Sequence, residues 1–307
     1  MLEKIKLSIC IPTNNRSAFL RKNLSVLRKI VKDEPIEIVI GDDASTDDTN
    51  VVVGEFVKNN PTIKLVTKSF KKRVFFDRIV LSMVESASGE FCWLLGDDDI
   101  PKRGSIKKIL SIIRKYPDLS LIHLNYSRFD NLLKKITAKK MINGIGRDIL
   151  FDRYEDFYFK AINNSYFRFL GTHTITMSSD VVNRLKWKKA SKRLKRYIGH
   201  NFIHSFIIGN IIKGKKTVYF VSTPQVQYLS NNHRIWPNNI WKDYNKILLG
   251  YLKKIGYPSI EINKVRHQQS EYERREGVMK NPLLNMVYKI INPIYSRVIY
   301  YKSKIFT

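Results

Sequence analysis

Short apolar runs alternate with segments of helical spacing along the first 125 residues of the chain. The first helical segment shows the pattern clearly, since Leu20, Leu24 and Leu27 recur about one turn apart. The pattern predicts strands over residues 7–11, 36–40, 63–67, 91–95 and 119–126, and helices over residues 18–31, 46–58, 76–86 and 105–115. This alternation is typical of an α/β fold with a mostly parallel central sheet flanked by helices.

The alternation weakens after about residue 130. We expect a basic loop over residues 134–140, a helix over 149–161, a buried helix over 197–212, and strands over 218–221 and 226–229. Helical spacing dominates again near the end of the chain. The predicted organisation is therefore one domain over residues 1–234, with halves 1–125 and 126–234, and a basic helical C-terminal extension over 235–307.

The charge balance is strongly basic, with 55 Lys and Arg against 27 Asp and Glu and a net charge of +28. Such a chain attracts anionic partners, among them nucleic acid, lipid headgroups and phosphorylated substrates. Cys10 and Cys92 lie inside apolar runs and form no disulfide framework, which indicates a reducing compartment. We see no export signal and no clean apolar stretch of about 20 residues, so we expect a cytoplasmic protein.

Polar motifs follow three of the predicted strands. Strand one is followed by residues 12–16 (PTNNR), strand two by residues 41–45 (GDDAS) and strand four by residues 96–99 (GDDD). In an open α/β sheet, ligands bind in the crevice at the carboxyl ends of the strands. The three motifs are therefore expected to line a single site.

Three successive carboxylates, Asp97, Asp98 and Asp99, follow the fourth predicted strand. Like charges this close raise one another's pKa, so such a cluster favours a neutralising cation. Oxygen ligands suit Mn²⁺ or Mg²⁺, which complete their shells with water and substrate phosphates. The pair Asp42 and Asp43 is better suited to accept hydrogen bonds from a base or a ribose.

These ordered motifs, together with residues 89–91 (GEF) and 94–101 (LLGDDDIP), resemble those of the family 2 glycosyltransferases of the GT-A fold. The resemblance covers about the first 120 residues. It implies transfer of a sugar from a nucleotide-diphosphate donor to an acceptor, with inversion and a divalent metal ion. It also makes residues 1–125 the nucleotide-binding half and residues 126–234 the acceptor half. The LLGDDD version is similar to that of bacterial abequosyltransferase-like members, which indicates surface polysaccharide synthesis.

The resemblance implies roles for individual residues, and it leaves the metal ligands open between two alignments. One alignment places the ion between Asp97 and Asp99, and the other makes Asp98 the main ligand. We favour Asp98 and Asp99 as ligands, with His233 as a further ligand from a flexible loop. The donor-binding residues implied are Pro12, Thr13, Asn15, Arg16, Asp42, Asp43, Asp97 and Arg234.

The resemblance does not identify the catalytic base, because the acidic pair usual in the family is replaced here by residues 199–201 (GHN). His200 has the chemistry of a base near neutral pH. Asp180 is the rival, although its place after two serines is typical of a helix cap. His173 is expected to face the acceptor.

Two basic stretches indicate an anionic membrane surface as a partner. Residues 184–196 contain eight basic side chains and no acid, and residues 283–306 combine aromatic and apolar residues with cations. We therefore expect peripheral attachment to the inner face of the cytoplasmic membrane, which would bring the site to a glycan or lipid-diphosphate-linked acceptor. A nucleic-acid-binding protein and an inactive assembly partner with the same fold are the alternatives. No nucleic-acid-reading motif accompanies the charge, so nucleic acid is not the expected partner.

Overall fold

The computed structural model describes residues 4–31, 34–129, 135–143, 145–153, 177–229, 244–260, 262–263 and 266. The chain divides into two compact units, Met1–Pro258 and Ser259–Thr307, and the elements given below all lie in the first. Most of the predicted extension over 235–307 lies outside the described residues and stays a prediction. No helix in the described part of the chain combines the length and the apolar character that a membrane span requires.

Strands and helices alternate along the first half, as the sequence pattern predicts. The first half contains β1 (Leu7–Thr13), α1 (Ser17–Ile30), β2 (Ile36–Asp42), α2 (Thr49–Asn59), β3 (Leu65–Ser69), α3 (Phe75–Ser86), β4 (Phe91–Leu94), β5 (Ile100–Pro101) and α4 (Ser105–Lys115). The second half contains β6 (Leu121–Phe129), β7 (Ile136–Ala138), β8 (Ile149–Arg153), β9 (Asp180–Asn183), α5 (Arg184–Arg193), α6 (Ile203–Ile211), β10 (Lys215–Leu229) and α7 (Leu249–Lys254).

The strands of the described residues form one ten-stranded sheet. Its order is β3-β2-β1-β4-β9-β6-β10-β5, with β7 paired to β6 and β8 paired to β10. Strands β3, β2, β1 and β4 run parallel, and β9 runs antiparallel between β4 and β6. Since β1, β2 and β4 are parallel neighbours, their carboxyl ends reach the same edge of the sheet.

The core lies between this sheet and its covering helices. Every residue of β1 and β2 is buried, which explains their nearly continuous apolar runs. Helix α1 buries Leu20, Leu24 and Leu27 as its spacing predicts. Both cysteines are free and buried, and therefore act as small apolar side chains.

Helix α2 begins later than the pattern predicts, at Thr49 instead of residue 46. The Asn15 side chain explains the difference, because its Oδ1 accepts hydrogen bonds from the backbone N–H groups of Thr46 and Asp47. These two residues therefore belong to the loop after β2. Asp47 in turn accepts a hydrogen bond from the backbone N–H of Thr49.

The predictions for the second half are partly wrong. The helix predicted over 149–161 begins instead as strand β8, because Leu150 and Phe151 pair with β10, and residues 154–176 lie outside the described residues. The basic loop predicted over 134–140 contains strand β7. The two strands predicted over 218–221 and 226–229 form one strand, β10, with a register shift between Val221 and Val226. Only Ile203–Ile211 of the helix predicted over 197–212 is α-helical.

Candidate active site

The loops after β1, β2 and β4 meet at Thr13. The Thr13 hydroxyl donates a hydrogen bond to Asp97 Oδ2 over 2.9 Å, and the Thr13 carbonyl accepts one from the Asp43 backbone N–H over 3.0 Å. In the sheet register Thr13 pairs with Asp42. The polar motifs that follow the three strands therefore lie together at one edge, as their positions in the sequence predict.

Arg16 joins the first motif to the third. Its Nε lies 3.0 Å from Asp97 Oδ1 and its Nη2 lies 2.5 Å from Asp98 Oδ2. Both carboxylates are buried, and the Arg16 side chain is only 16% exposed. One guanidinium therefore holds two adjacent carboxylates in place and balances part of their charge.

Asp99 is oriented differently from its two neighbours. Its Oδ2 accepts a 2.5 Å hydrogen bond from the Ser178 hydroxyl, and its Oδ1 accepts one from the backbone N–H of Leu229 over 3.2 Å. Ser178 also accepts a hydrogen bond from the Gly96 backbone N–H. Sequence reasoning missed Ser178, which lies in a short turn before β9 that has no sequence signal of its own.

The loop after β2 is fixed by its own polar side chains and by Asn15. Asp42 Oδ1 accepts a hydrogen bond from the Ser45 backbone N–H, and the Ser45 hydroxyl accepts one from the Asn15 backbone N–H. Asn15 adopts a left-handed backbone conformation with φ of 52°. Burial raises the pKa of Asp47, but hydrogen bonds from Thr49 and Ser17 outweigh this effect and lower it. Pro12 is a buried residue of β1 that pairs with Gly41.

Asp43 binds the segment that leads into α3. Its Oδ1 accepts a 2.6 Å hydrogen bond from the Val74 backbone N–H, and its Oδ2 accepts one from the Phe75 backbone N–H. The Arg73 Nε lies 3.3 Å from Asp43 Oδ2. Phe75 has φ of 63° and a side chain that is 63% exposed, with the Arg73 guanidinium 5.3 Å from its ring. Sequence reasoning missed this segment, whose signals are the positive charge of Arg73 and the aromatic residues that begin α3.

The two described candidates for the base lie in different surroundings. His200 is half-buried in the turn before α6. Asp180 begins β9, so it does not cap a helix as its sequence context suggested. The Asp180 side chain is fully buried, and its Oδ1 lies 3.1 Å from Nδ1 of His123 on the paired strand β6.

The remaining predicted site residues, His173, His233 and Arg234, lie outside the described residues. Within the described ranges, no three His, Cys, Asp or Glu side chains are grouped as a metal site requires. Asp98 and Asp99 nevertheless supply the carboxylate oxygens that Mn²⁺ and Mg²⁺ prefer, with the Asp99 carboxylate directed towards Ser178 and Leu229. These ions commonly bind one or two protein carboxylates and take their other ligands from water and phosphate.

The sheet, its order and the clustered strand ends define the GT-A fold of the nucleotide-sugar transferases. The S. aureus protein TarS, residues 1–349, has this fold, with a TM-score of 0.63 and 14% identity over 94% of this chain and 78% of that one. TarS 1–349 in complex with UDP-GlcNAc superposes with a TM-score of 0.59 and 15% identity, over 94% of this chain and 79% of that one. The predicted fold class is thereby confirmed.

The chain belongs to glycosyl transferase family 2, whose sequence pattern matches residues 8–208. It is 25% identical to abequosyltransferase RfbV of Salmonella typhimurium over 222 residues. These residues cover 72% of this chain and 65% of that protein. It is 34% identical over 107 residues to a Campylobacter jejuni GalNAc(5)-diNAcBac-PP-undecaprenol beta-1,3-glucosyltransferase, 34% of this chain and 33% of that protein. The match therefore spans less than two thirds of the length of either relative.

Proposed function

We propose that this protein transfers a sugar, with inversion, from a nucleotide-diphosphate donor to a glycan or lipid-diphosphate-linked acceptor in bacterial surface polysaccharide synthesis. The observation that carries the proposal is the meeting of Asp43 and Asp97 at Thr13. In this proposal both residues line one crevice. Asp43 serves the nucleoside, and the loop of Asp97 carries the carboxylates for an ion bound to the diphosphate. The Campylobacter jejuni relative, whose name gives GalNAc(5)-diNAcBac-PP-undecaprenol as its acceptor, supports a lipid-diphosphate-linked acceptor.

In this proposal the donor nucleotide lies over the ends of β1 and β2. Asp42 and Asp43 face the nucleoside, and the segment of Arg73 and Phe75 that Asp43 holds forms the adjacent wall. Asp97, which is held by Thr13 and Arg16, is kept on the ribose side of the donor site, and Arg234 offsets charge on the departing diphosphate. The other donor-binding residues are Pro12, Thr13, Asn15 and Arg16.

Asp98 is proposed as the main ligand of Mn²⁺ or Mg²⁺, and Asp99 and His233 are proposed as the further protein ligands. A bound divalent ion supplies Lewis-acid stabilisation of the diphosphate leaving group. Ser178 and Leu229 fix the orientation of the Asp99 carboxylate, which retains further lone pairs for a cation. Arg16 holds Asp98 beside Asp97 and limits their mutual repulsion.

His200 is proposed as the group that removes the proton of the acceptor hydroxyl. A base must reach the substrate, and the half-buried turn of His200 meets this requirement better than the fully buried Asp180. Asp180 is better suited to hold His123 in the sheet. His173 is kept as a residue that faces the acceptor.

Docking of the protein on the inner face of the cytoplasmic membrane is proposed from a basic cluster on three segments that contact one another. The Tyr197 ring lies 5.1 Å from the Tyr251 ring, and Lys213 donates a hydrogen bond to the Ile255 carbonyl. The exposed Leu185 lies on α5, the helix that also carries the exposed cations Lys189, Lys192 and Arg193. The cluster consists of the exposed cations Lys189, Lys192, Arg193, Lys195, Arg196, Lys213, Lys215, Lys216, Lys253 and Lys254.

Co-sedimentation with vesicles tests the docking surface. We expect the protein to bind vesicles that contain phosphatidylglycerol, and to lose about 10-fold or more in affinity on replacement of Lys192, Arg193 and Lys195 by Glu. The control replaces Lys22, Arg28 and Lys29, which are exposed on α1, by Glu. Equal loss in both variants, or retention on DNA without binding to vesicles, would contradict docking on lipid.

Release of nucleoside diphosphate from UDP-, GDP-, CDP- and dTDP-sugars in the presence of Mn²⁺ tests the reaction. We expect release from at least one donor, and a fall of about 100-fold or more in Asp98→Asn with the circular dichroism spectrum unchanged. Asp118→Asn, at an exposed aspartate, is the control. Release from no donor would favour an inactive assembly partner with the same fold.

A further inference from the structure

Asp77, in the first turn of α3, binds the turn that carries His200. Its carboxylate is 2% exposed, and four backbone N–H groups donate hydrogen bonds to it. Oδ2 accepts from Gly199, His200 and Asn201 over 2.7, 3.1 and 3.1 Å, and Oδ1 accepts from Ile203 over 3.1 Å. These four hydrogen bonds connect parts of the chain that are 122 to 126 residues apart.

The bond to Ile203 satisfies the first turn of α6, as a helix cap does. The other three bonds do not cap the helix. Their N–H donors belong to the turn before the helix, and all three donate to the same carboxylate oxygen. Gly199 and Asn201 both adopt left-handed backbone conformations there, with φ of 106° and 60°. A charged carboxylate that accepts all three N–H groups therefore selects one conformation of this turn.

The same first turn of α3 is tied to the donor side of the crevice. Asp43 accepts hydrogen bonds from the backbone N–H groups of Val74 and Phe75, three and two residues before Asp77. A second contact reinforces the link to α6, because the Phe76 ring lies edge-on to the His204 ring with centroids 5.3 Å apart. The residues from 74 to 77 thus connect the Asp43 carboxylate with the His200 turn.

We infer that Asp77 is a positioning residue that fixes His200 relative to the donor pocket through the first turn of α3. The inference rests on the proposed function, in which His200 deprotonates the acceptor. It explains how a family member without the usual acidic pair holds a histidine at this place. Misplacement of a catalytic group by about 1 Å is enough to slow a reaction by about 100-fold.

Asp77→Asn tests the inference with little change in side-chain size. The carboxamide keeps one acceptor oxygen and turns an NH₂ group toward N–H donors, so the four bonds cannot all form. We expect hydrogen exchange in the peptide that covers residues 199–203 to rise by about 10-fold or more. We also expect kcat to fall by about 10-fold or more with the donor KM unchanged. Asp118→Asn is the control for both measurements.

A double variant separates positioning of His200 from a general loss of structure. If Asp77 acts through His200, then adding Asp77→Asn to His200→Gln lowers kcat little further. Multiplying losses, or unchanged exchange of residues 199–203 in Asp77→Asn, would overturn the inference. Absence of any sugar transfer by the wild type would instead overturn the proposed function, and the exchange measurement would still decide whether Asp77 orders the turn.

Discussion

The Arg16 guanidinium lies 3.0 Å from the Asp97 carboxylate, although 81 residues separate the two in the chain. The same guanidinium also contacts Asp98, so the loop after β1 and the loop after β4 are joined by a charged bridge. A bridge between nearly buried groups is costly to break, because removal of one partner leaves a buried charge unbalanced. The site and the stability of this sheet edge therefore depend on the same side chain.

Replacement of Arg16 by Ala is expected to destabilise the protein by about 3 kcal/mol, because Asp97 and Asp98 then repel each other. Urea unfolding measures this loss. Arg21→Ala, which breaks an exposed ion pair with Glu55, is the control and is expected to cost at most about 1 kcal/mol. Equal losses in the two variants would show that the Arg16 bridge contributes no more than a surface pair.

Asn23 supports the loop that carries the three carboxylates. It is a fully buried residue of α1, and its Nδ2 donates hydrogen bonds to the carbonyls of Gly96 and Asp99 over 3.0 and 2.7 Å. Asn23→Ala leaves two buried acceptors without this donor and is expected to cost about 1 to 3 kcal/mol. The melting temperature measures the loss. A variant that melts like the wild type would contradict this role.

The ends of the strands could be predicted from the sequence. It could also be predicted that the polar residues at these ends lie close together. Thr13, Asp43 and Asp97 follow strongly apolar strands, and parallel neighbours bring such ends together whatever the details of packing. The hydrogen bonds of Asp77 and Ser178 could not be predicted in this way. They depend on the packing of α3 against the turn before α6 and of β9 against β4. The spacing of apolar and polar residues within one segment does not predict such contacts between distant segments.

Strand β8 illustrates a second limit of the sequence pattern. Its apolar residues Ile149, Leu150 and Phe151 are compatible with a short helix or a strand, and pairing with β10 decides the outcome. For the long strand β10 the pattern predicts two strands where the structure has one, because a register shift separates its two apolar runs. In both cases the deciding interaction comes from a distant segment.

Glu37 gives the fold a pH dependence with a definite sign. Burial raises the pKa of Glu37, but hydrogen bonds from Lys64, Ser88 and Ser8 outweigh burial and lower it from 4.5 to about 2. A depressed pKa in the folded state stabilises the protein above the ordinary pKa, and this stabilisation is lost as the pH falls from about 4.5 towards 2.

The midpoint of urea unfolding at pH 7, 4 and 3 measures this loss. The wild type is expected to lose more stability over this range than Glu37→Gln, which carries no titrating group at the position. Parallel pH profiles for the two proteins would contradict the assigned role of Glu37.

Gly89 allows β1 and the segment before β4 to approach closely. A Cβ atom at this position would lie 2.6 Å from Ser8 Oγ, 2.7 Å from the Ser8 backbone N and 2.9 Å from the Leu7 carbonyl carbon. Gly89→Ala is therefore expected to destabilise the protein by about 1 to 3 kcal/mol in urea unfolding.

Gly54, inside α2, is the matched control, because a Cβ atom there would meet no neighbouring segment of the described residues within 4 Å. Gly54→Ala is expected to stabilise the protein by about 0.5 to 1 kcal/mol, since alanine is the better helix former. The same sign of effect in both variants would contradict the close approach at Gly89.

Thermal-shift measurements show whether a nucleotide sugar binds at the ends of β1, β2 and β4. The wild type and Asp43→Ala are heated with UDP-, GDP-, CDP- and dTDP-sugars, each with and without Mn²⁺. We predict that at least one donor raises the melting temperature of the wild type, more strongly with Mn²⁺, and that Asp43→Ala loses this shift. No shift of the wild type with any donor, or equal shifts in both proteins, would contradict donor binding at these strand ends.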